Sequence, residues 1–370
     1  MRRRILLAAY EVPGLGGAST SAYALFRKMR RDGVDVHLVN LIDAYDLPYI
    51  QYVLGAEYGN PRQLPDVYNC VLEAGPYRRH DVLASLIEAI TPDVILGYGD
   101  IATLLTRLAA PGVAILFYAA GSQQAGVHVA RRRDVCGLTL LDRCASAVRP
   151  AVVPGREPDA IESADVIVAC SDLVRTLLEY FFPYPQTCKL FPHAISQAEW
   201  IGEAATADGG TGRPFGERRI DLLFVASSWS RIEKNLALVG RIAARLPDLR
   251  VGIIGEGVSG IPRVTAYGFV AGAARVLGLM GDAKAVICPS RFDASPGILF
   301  QASVMGCNVV ASRNCGNWAI CHDELLVHPF SEDGFVEAAV RAVRAKRPDN
   351  MRALLERRSY AKLLEVLAVL

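Results

Sequence analysis

Two short segments of this 370-residue chain hold residues whose types and spacing suit shared chemistry. In Leu223–Asn235 (LFVASSWSRIEKN), Arg231 and Lys234 follow an apolar run in a stretch otherwise short of charge. Two fixed cations in such a loop stabilise the negative charge that develops on a departing diphosphate. In Cys288–Gly306 (CPSRFDASPGILFQASVMG), Asp293-Ala-Ser-Pro-Gly297 reads as a turn entering a helix at about Gly297. Backbone N–H groups at a helix start, with small residues allowing close approach, form a diphosphate cradle, to which Ser295 adds a hydroxyl. Plainer readings stand beside these. The cations could form a surface ion pair with Glu233, and Asp293 could be a helix N-cap.

Other motifs are weaker. The glycine turn Gly14–Ser19 (GLGGAS) follows a strand, as dinucleotide sites do, but a serine ends it where GxGxxG needs glycine. The second strand offers Asn40 at its polar end, with Asp43 beyond, rather than a terminal acidic residue. The six histidines show no catalytic or metal spacing, and a structural role suits His193, in Phe191–Ile195 (FPHAI), better than a functional one. The nine cysteines show neither CxxC pairs nor zinc spacing, so they read as reduced core thiols of a cytoplasmic protein, and no metal site is expected.

The elements that must position these residues follow one rhythm. Ile5–Tyr10 is a short apolar strand, Thr20–Arg31 an amphipathic helix and Val34–Leu41 the next strand, a βαβ unit. Helices over Asp81–Ile90, Ile101–Leu108 and Leu173–Phe181 alternate with strands over Asp93–Gly97, Val113–Tyr118 and Asp165–Cys170. Pro183–Pro192 breaks the pattern, and the small, polar, glycine-rich Gly202–Gly216 reads as an interdomain linker or a loop beside it. Alternation then restarts. Strands fall at Asp221–Ala226, Val251–Ile254, Ala285–Cys288 and Asn308–Ala311, and helices at Asn235–Arg245, Ala273–Met280 and Gly297–Met305. Such α/β alternation specifies doubly wound parallel sheets, whose ligands bind at the carboxyl ends of the strands. The expected division is an acceptor-side domain over 1–195, a linker over 196–217, a nucleotide-binding domain over 218–350 and a C-terminal helix over 351–370 that packs back on the first domain.

Composition narrows the function classes. Hydrophobic residues make up 52% and charged residues 21%, a globular balance. Forty basic against 38 acidic residues argue against a dedicated nucleic-acid binder. No signal peptide or membrane span is visible. Arginines cluster at Met1–Arg4, Arg131–Arg133 and Arg341–Arg358. They read as solvated helix ends or, more sharply, as a basic face for peripheral contact with anionic lipid at the inner membrane surface.

With this architecture, several segments resemble the retaining GT-B glycosyltransferases of family 4, the glycosyl transferases group 1. Gly16-Gly17 before a helix and Gly33–Val36 (GVDV) look like that family's N-terminal signature. Pro92–Ile95 (PDVI) and Asp165–Leu173 (DVIVACSDL) resemble its later N-domain strands. Leu223–Asn235, Ile253–Gly257 (IIGEG) and Cys288–Gly306 follow in the family's order. The resemblance implies a GT-B fold, with two Rossmann-like domains facing a central cleft. It implies transfer of a sugar, with retention, from a nucleotide-diphosphate donor (UDP- or GDP-sugar) to an acceptor the sequence does not identify, without a metal or other cofactor.

By the same resemblance Lys234 matches the family lysine, while Trp229 takes the place of the usual arginine and Arg231 falls beyond it. Asp293 and Gln301 occupy the places of two glutamates. Asp293 would bind donor-sugar hydroxyls and Gln301 the ribose. Gly16 and Gly17 would line a loop over the donor phosphates. Ser228, Glu256, Ser295, Pro296, Gly297 and Ile298 complete the donor side. Specificity is assigned to Gly268–Gly272 and, on the acceptor side, to Asp43–Tyr77. The stretch that usually carries a histidine near the donor sugar reads YAAGS (Tyr118–Ser122) here. Together with the two replaced glutamates, this keeps other readings open: a catalytically silent nucleotide- or glycan-binding partner subunit, or a sugar-nucleotide epimerase.

Overall fold

In the computed structural model the described residues are 3–10, 17–43, 66–72, 80–120, 156–181, 188–190, 212–258, 260–270, 272–348 and 360–370. Gly16, His193, Arg131–Arg133 and most of the 196–217 segment lie outside them. The chain forms two compact units, one from residues 3–120, 156–190 and 360–370, the other from 212–348.

The first unit is built on β1 (Arg4–Tyr10), α1 (Gly17–Arg31), β2 (Asp35–Asp43), β3 (Val67–Leu72), α2 (His80–Ile90), β4 (Val94–Tyr98), α3 (Asp100–Ala109), β5 (Ala114–Ala119), α4 (Arg156–Ser163), β6 (Val166–Ala169), α5 (Asp172–Phe181) and β7 (Cys188–Leu190). Its seven strands run in the order β3-β2-β1-β4-β5-β6-β7, and every pairing is parallel. Leu6, Leu7, Val94, Ile95 and Leu116 are fully buried, as expected of strands covered by helices on both faces. Edge strand β3 lies inside the segment assigned to acceptor specificity, so part of that segment is scaffold. The C-terminal helix, Tyr360–Val369, belongs to this unit, and Lys28 Nζ of α1 sits 5.4 Å above the Tyr360 ring. Arg4 is spent at the sheet's amino edge, on Asp35, Thr91 and the Ile90 carbonyl.

The second unit contains β8 (Ile220–Ser228), α6 (Leu236–Arg245), β9 (Val251–Glu256), β10 (Val264–Ala266), α7 (Ala273–Gly281), β11 (Ala283–Cys288), α8 (Gly297–Val304), β12 (Asn308–Ser312), β13 (Leu326–Val327) and α9 (Glu332–Arg344). The order β10-β9-β8-β11-β12-β13 is that of a dinucleotide-binding sheet. One face is sealed by Leu238, Val239 and Ile242 of α6 and by Phe335, Ala338 and Ala339 of α9, packed on Leu222, Phe224 and Ile287. Residues 212–217, at the end of the segment read as linker, are anchored to this unit. Arg213 N–H donates to Gly281 O at 3.2 Å, and a one-turn 3-10 helix follows at Phe215–Glu217. The buried Arg218 then ties the amino edge together by donating to the carbonyls of Arg213, Ala283 and Met305.

Asp221 stands at the same edge with its carboxylate 8% exposed, 2.9 Å from Arg250 Nε and 2.8 Å from Lys284 Nζ. Burial pushes the carboxyl up, but the hydrogen bonds from Arg250 and Lys284 outweigh it and hold it well below the usual carboxylate range. A carboxylate depressed on folding contributes stability above its unfolded value of about 4, and that stability is lost as pH falls toward the folded value. Melting curves should therefore show the wild type losing more of its melting temperature than Asp221→Asn between about pH 5 and pH 3. Parallel curves for the two proteins would contradict this role.

Among the described residues no helix is long and apolar enough to cross a membrane, and no group of three or more His, Cys, Asp or Glu is placed to hold a metal ion. Cys70, Cys170, Cys288, Cys307, Cys315 and Cys321 are buried free thiols.

Candidate active site

In the second unit the chain order reverses between β8 and β11. From β8 the connections run outward through β9 and β10, and the chain then returns to β11 on the other side. The crevice beyond the carboxyl ends of two such strands is where doubly wound sheets bind ligands. Both chemically interesting segments arrive there, one directly after each strand.

After β8, Trp229 turns inward. It is buried, its indole N–H donates to Ile254 O at 2.9 Å, and its backbone N–H donates to Glu256 O at 2.9 Å. This residue is thus part of the core. Ser228 and Glu256 are register partners at the strand ends, and Ser228 Oγ lies 2.7 Å from Ser230 Oγ.

Lys234 closes a one-turn 3-10 helix, Ile232–Lys234, and the chain enters α6 through Asn235, which has φ 64° and ψ 48°. Asn tolerates this left-handed conformation better than other non-glycine residues. Its amide does not cap the helix. Nδ2 donates to Pro289 O at 3.1 Å, and Oδ1 accepts from Arg291 Nη2 at 3.2 Å. The Arg291 backbone N–H also donates to Glu233 O at 2.8 Å. Three hydrogen bonds therefore join the loop after β8 to the loop after β11.

That join brings Lys234 against Asp293, 59 residues away in sequence. Their side chains are only 16% and 14% exposed, so the ion pair is shielded rather than a solvent-screened surface contact. Burial and, to a smaller extent, the Arg231 guanidinium pull the Lys234 ammonium down, but the facing Asp293 carboxylate outweighs them and leaves it raised. The lysine is accordingly a fixed cation throughout the neutral range.

Arg231 behaves differently. Its Nε donates to Glu233 Oε1 at 2.5 Å, and its side chain is 48% exposed. The surface pairing with Glu233 thus describes Arg231, whereas Lys234 takes Asp293. Nor is Asp293 the N-cap of α8. That position is Pro296, and no side chain caps the helix. The N–H groups of Gly297 and Ile298 open the helix as its first turn, which suits an anion. Gln301 lies one turn further along α8, partly buried.

A third loop, after β12, supports this arrangement and carries no family motif. Asp293 is held at both backbone atoms, its N–H donating to Asn314 O at 3.1 Å and its carbonyl accepting from Gly316 N–H at 2.8 Å. Asn314 Nδ2 donates to Arg291 O at 2.9 Å, and the buried Asn317 Nδ2 donates to Ser295 Oγ at 2.9 Å. The only sequence signal for this role is the polar run Arg313-Asn-Cys-Gly-Asn317 directly after an apolar strand. Beneath it the Cys288 and Cys315 sulfurs lie 3.6 Å apart.

His37, His322 and His328 take structural positions. His37 lies between Asp35 and Asp66, and the rings of His322 and His328 accept local backbone N–H groups. In the first unit, Gly17 begins α1, and Tyr118 is buried in a stack with Tyr98, ring centroids 4.5 Å apart.

Residues 214–345 match the family model described as glycosyl transferases group 1. No curated protein matches the sequence. Among solved structures, Anabaena HepE in complex with UDP and glucose is 14% identical with a TM-score of 0.65, covering 100% of each chain. Sucrose-phosphate synthase from Thermosynechococcus elongatus is 13% identical with a TM-score of 0.64, covering 99% of this chain and 100% of its own. The lipopolysaccharide outer core galactosyltransferase WaaB is 15% identical with a TM-score of 0.62, covering 96% of this chain and 95% of its own. At these identities the likeness establishes the fold, two Rossmann-like α/β domains of the GT-B kind, and the match to the group 1 glycosyl transferase model falls within the second of them.

Proposed function

We propose that this protein is a retaining glycosyltransferase that takes its sugar from a nucleotide-diphosphate donor held in the second unit. The observation that carries the reading is the meeting of Lys234 and Asp293 at the switch point between β8 and β11, beside a helix start that no side chain caps. In this reading Lys234 neutralises the diphosphate, assisted by the more exposed Arg231. The first-turn N–H groups of Gly297 and Ile298 and the hydroxyl of Ser295 cradle its oxygens. Asp293 accepts hydroxyl groups of the donor sugar, and Gln301 takes the ribose. Ser228 and Glu256 border the same donor.

The proposed transfer needs no metal and no carboxylate base. The bond from the anomeric carbon to the diphosphate oxygen breaks while the acceptor hydroxyl bonds to that carbon from the same face. The proton of the acceptor passes to the departing oxygen. Charge accumulates on the diphosphate, where the Lys234 ammonium is already in place.

UDP is the first choice of nucleotide, because HepE binds UDP and UDP-glucose in a fold of this kind. A melting-temperature screen with UDP, GDP and ADP tests the reading. One of them should raise the melting temperature progressively with concentration, as mass action requires of a ligand that binds the folded state. No response to any of the three removes the proposal.

A further inference from the structure

Asp293 is fixed more firmly than a sugar contact requires. Both of its backbone polar atoms are held by the loop after β12, and its short side chain reaches Lys234 directly. The carboxylate can therefore rotate but not withdraw. Any diphosphate that engages Lys234 shares that cation with an anion fixed beside it, in a place where both side chains are largely shielded from water. Like charges brought together under such shielding repel far more than at a solvated surface.

We propose that Asp293 discriminates between a nucleotide sugar and the bare nucleoside diphosphate, and so helps to expel the product. The inference rests on the reading of Lys234 as the diphosphate cation. With a nucleotide sugar, the sugar hydroxyls donate to the Asp293 oxygens and replace the ammonium that the diphosphate takes, so both charges remain satisfied. After transfer the sugar has gone. The nucleoside diphosphate then stands against a carboxylate whose one side-chain donor among the described residues is Lys234, and the two anions compete for one cation. The original ion pair re-forms as the diphosphate leaves. A longer, mobile carboxylate could swing away; Asp293, with one methylene and a tethered backbone, cannot.

The test is a calorimetric titration of wild type and Asp293→Asn. The ligands are the nucleoside diphosphate that stabilises the protein in the melting screen and its glucose derivative. Asn keeps the shape and removes the charge. The variant should bind the bare diphosphate about tenfold more tightly than wild type, the scale of one close charge pair. The glucose derivative should gain less, so the preference for the sugar-bearing ligand falls. A purely structural role for Asp293 would weaken both ligands together. Should Asp293→Asn lose its cooperative melting transition, Asp293→Ser serves in its place. Unchanged or weaker binding of the bare diphosphate, or an equal gain for both ligands, overturns the inference and leaves the proposed function standing. Failure of the wild type to bind any nucleoside diphosphate removes the proposed function itself.

Discussion

Replacing Lys234 by alanine should lower turnover of the nucleotide sugar by about 10² to 10³-fold, the effect of deleting one preorganised group that meets developing charge. Three features put this residue first. Its ammonium is held in a shielded ion pair rather than dispersed in solvent. Its loop is tied through Asn235 and Arg291 to the loop after β11, so the charge needs no rearrangement when the bond breaks. Finally, the proposed reaction stabilises its leaving group through fixed cations and backbone N–H groups, so little else can compensate. Deletion also leaves Asp293 beside the diphosphate without its cation, which adds to the loss. Asp293→Asn should cost turnover no more than Lys234→Ala does, because it loses contacts to the sugar but keeps the positive charge. The readout is release of sugar from the donor, which needs no knowledge of the acceptor. A Lys234→Ala protein with full turnover would contradict the assignment.

The second large effect concerns stability. Gly255 in β9 has φ +133°, a conformation that side chains rarely adopt. A Cβ placed there would lie 2.1 Å from Ala226 O and 2.8 Å from Trp229 Nε1. Neither contact can relax easily. Ala226 O is strand backbone, and the indole is buried and committed to Ile254 O. Backbone strain and forced overlap each cost about 1–3 kcal/mol, so Gly255→Ala should destabilise the second unit by about 3 kcal/mol or more. Urea titration monitored by tryptophan fluorescence would show the midpoint falling by more than one molar, since m-values run at about 1–3 kcal/mol per molar. An unshifted midpoint would mean that the close packing around Trp229 is not what holds the turn before Lys234.

The alternation of apolar strands and amphipathic helices was legible because buried parallel strands show almost no polar interruption. Leu6–Ala9 and Val286–Cys288 declare themselves by composition alone. The strands that escaped are short or at sheet edges. Val264–Ala266 and Leu326–Val327 are too short to show a period, Val67–Leu72 carries Tyr68 and Asn69, and Cys188–Leu190 sits beside prolines. The candidate site was half legible. Lys234 and the Ser295–Gly297 turn stand out as local patterns, but the choice of Asp293 over Glu233 as the partner of Lys234 depends on a contact across 59 residues, which no window of sequence contains. The loop after β12 matters through backbone tethers to Asp293, and hydrogen bonds between main-chain atoms leave little trace in residue type, while the side-chain bond from Asn317 to Ser295 crosses 22 residues.

A calorimetric titration of UDP into the wild-type protein and Lys234→Ala, with GDP and ADP in parallel, tests the placement of the donor most directly. One nucleotide should bind the wild type at a single site, and the same nucleotide should bind Lys234→Ala at least tenfold more weakly, as expected when a charge-assisted contact is lost. Equal affinity of the two proteins for that nucleotide would contradict the account.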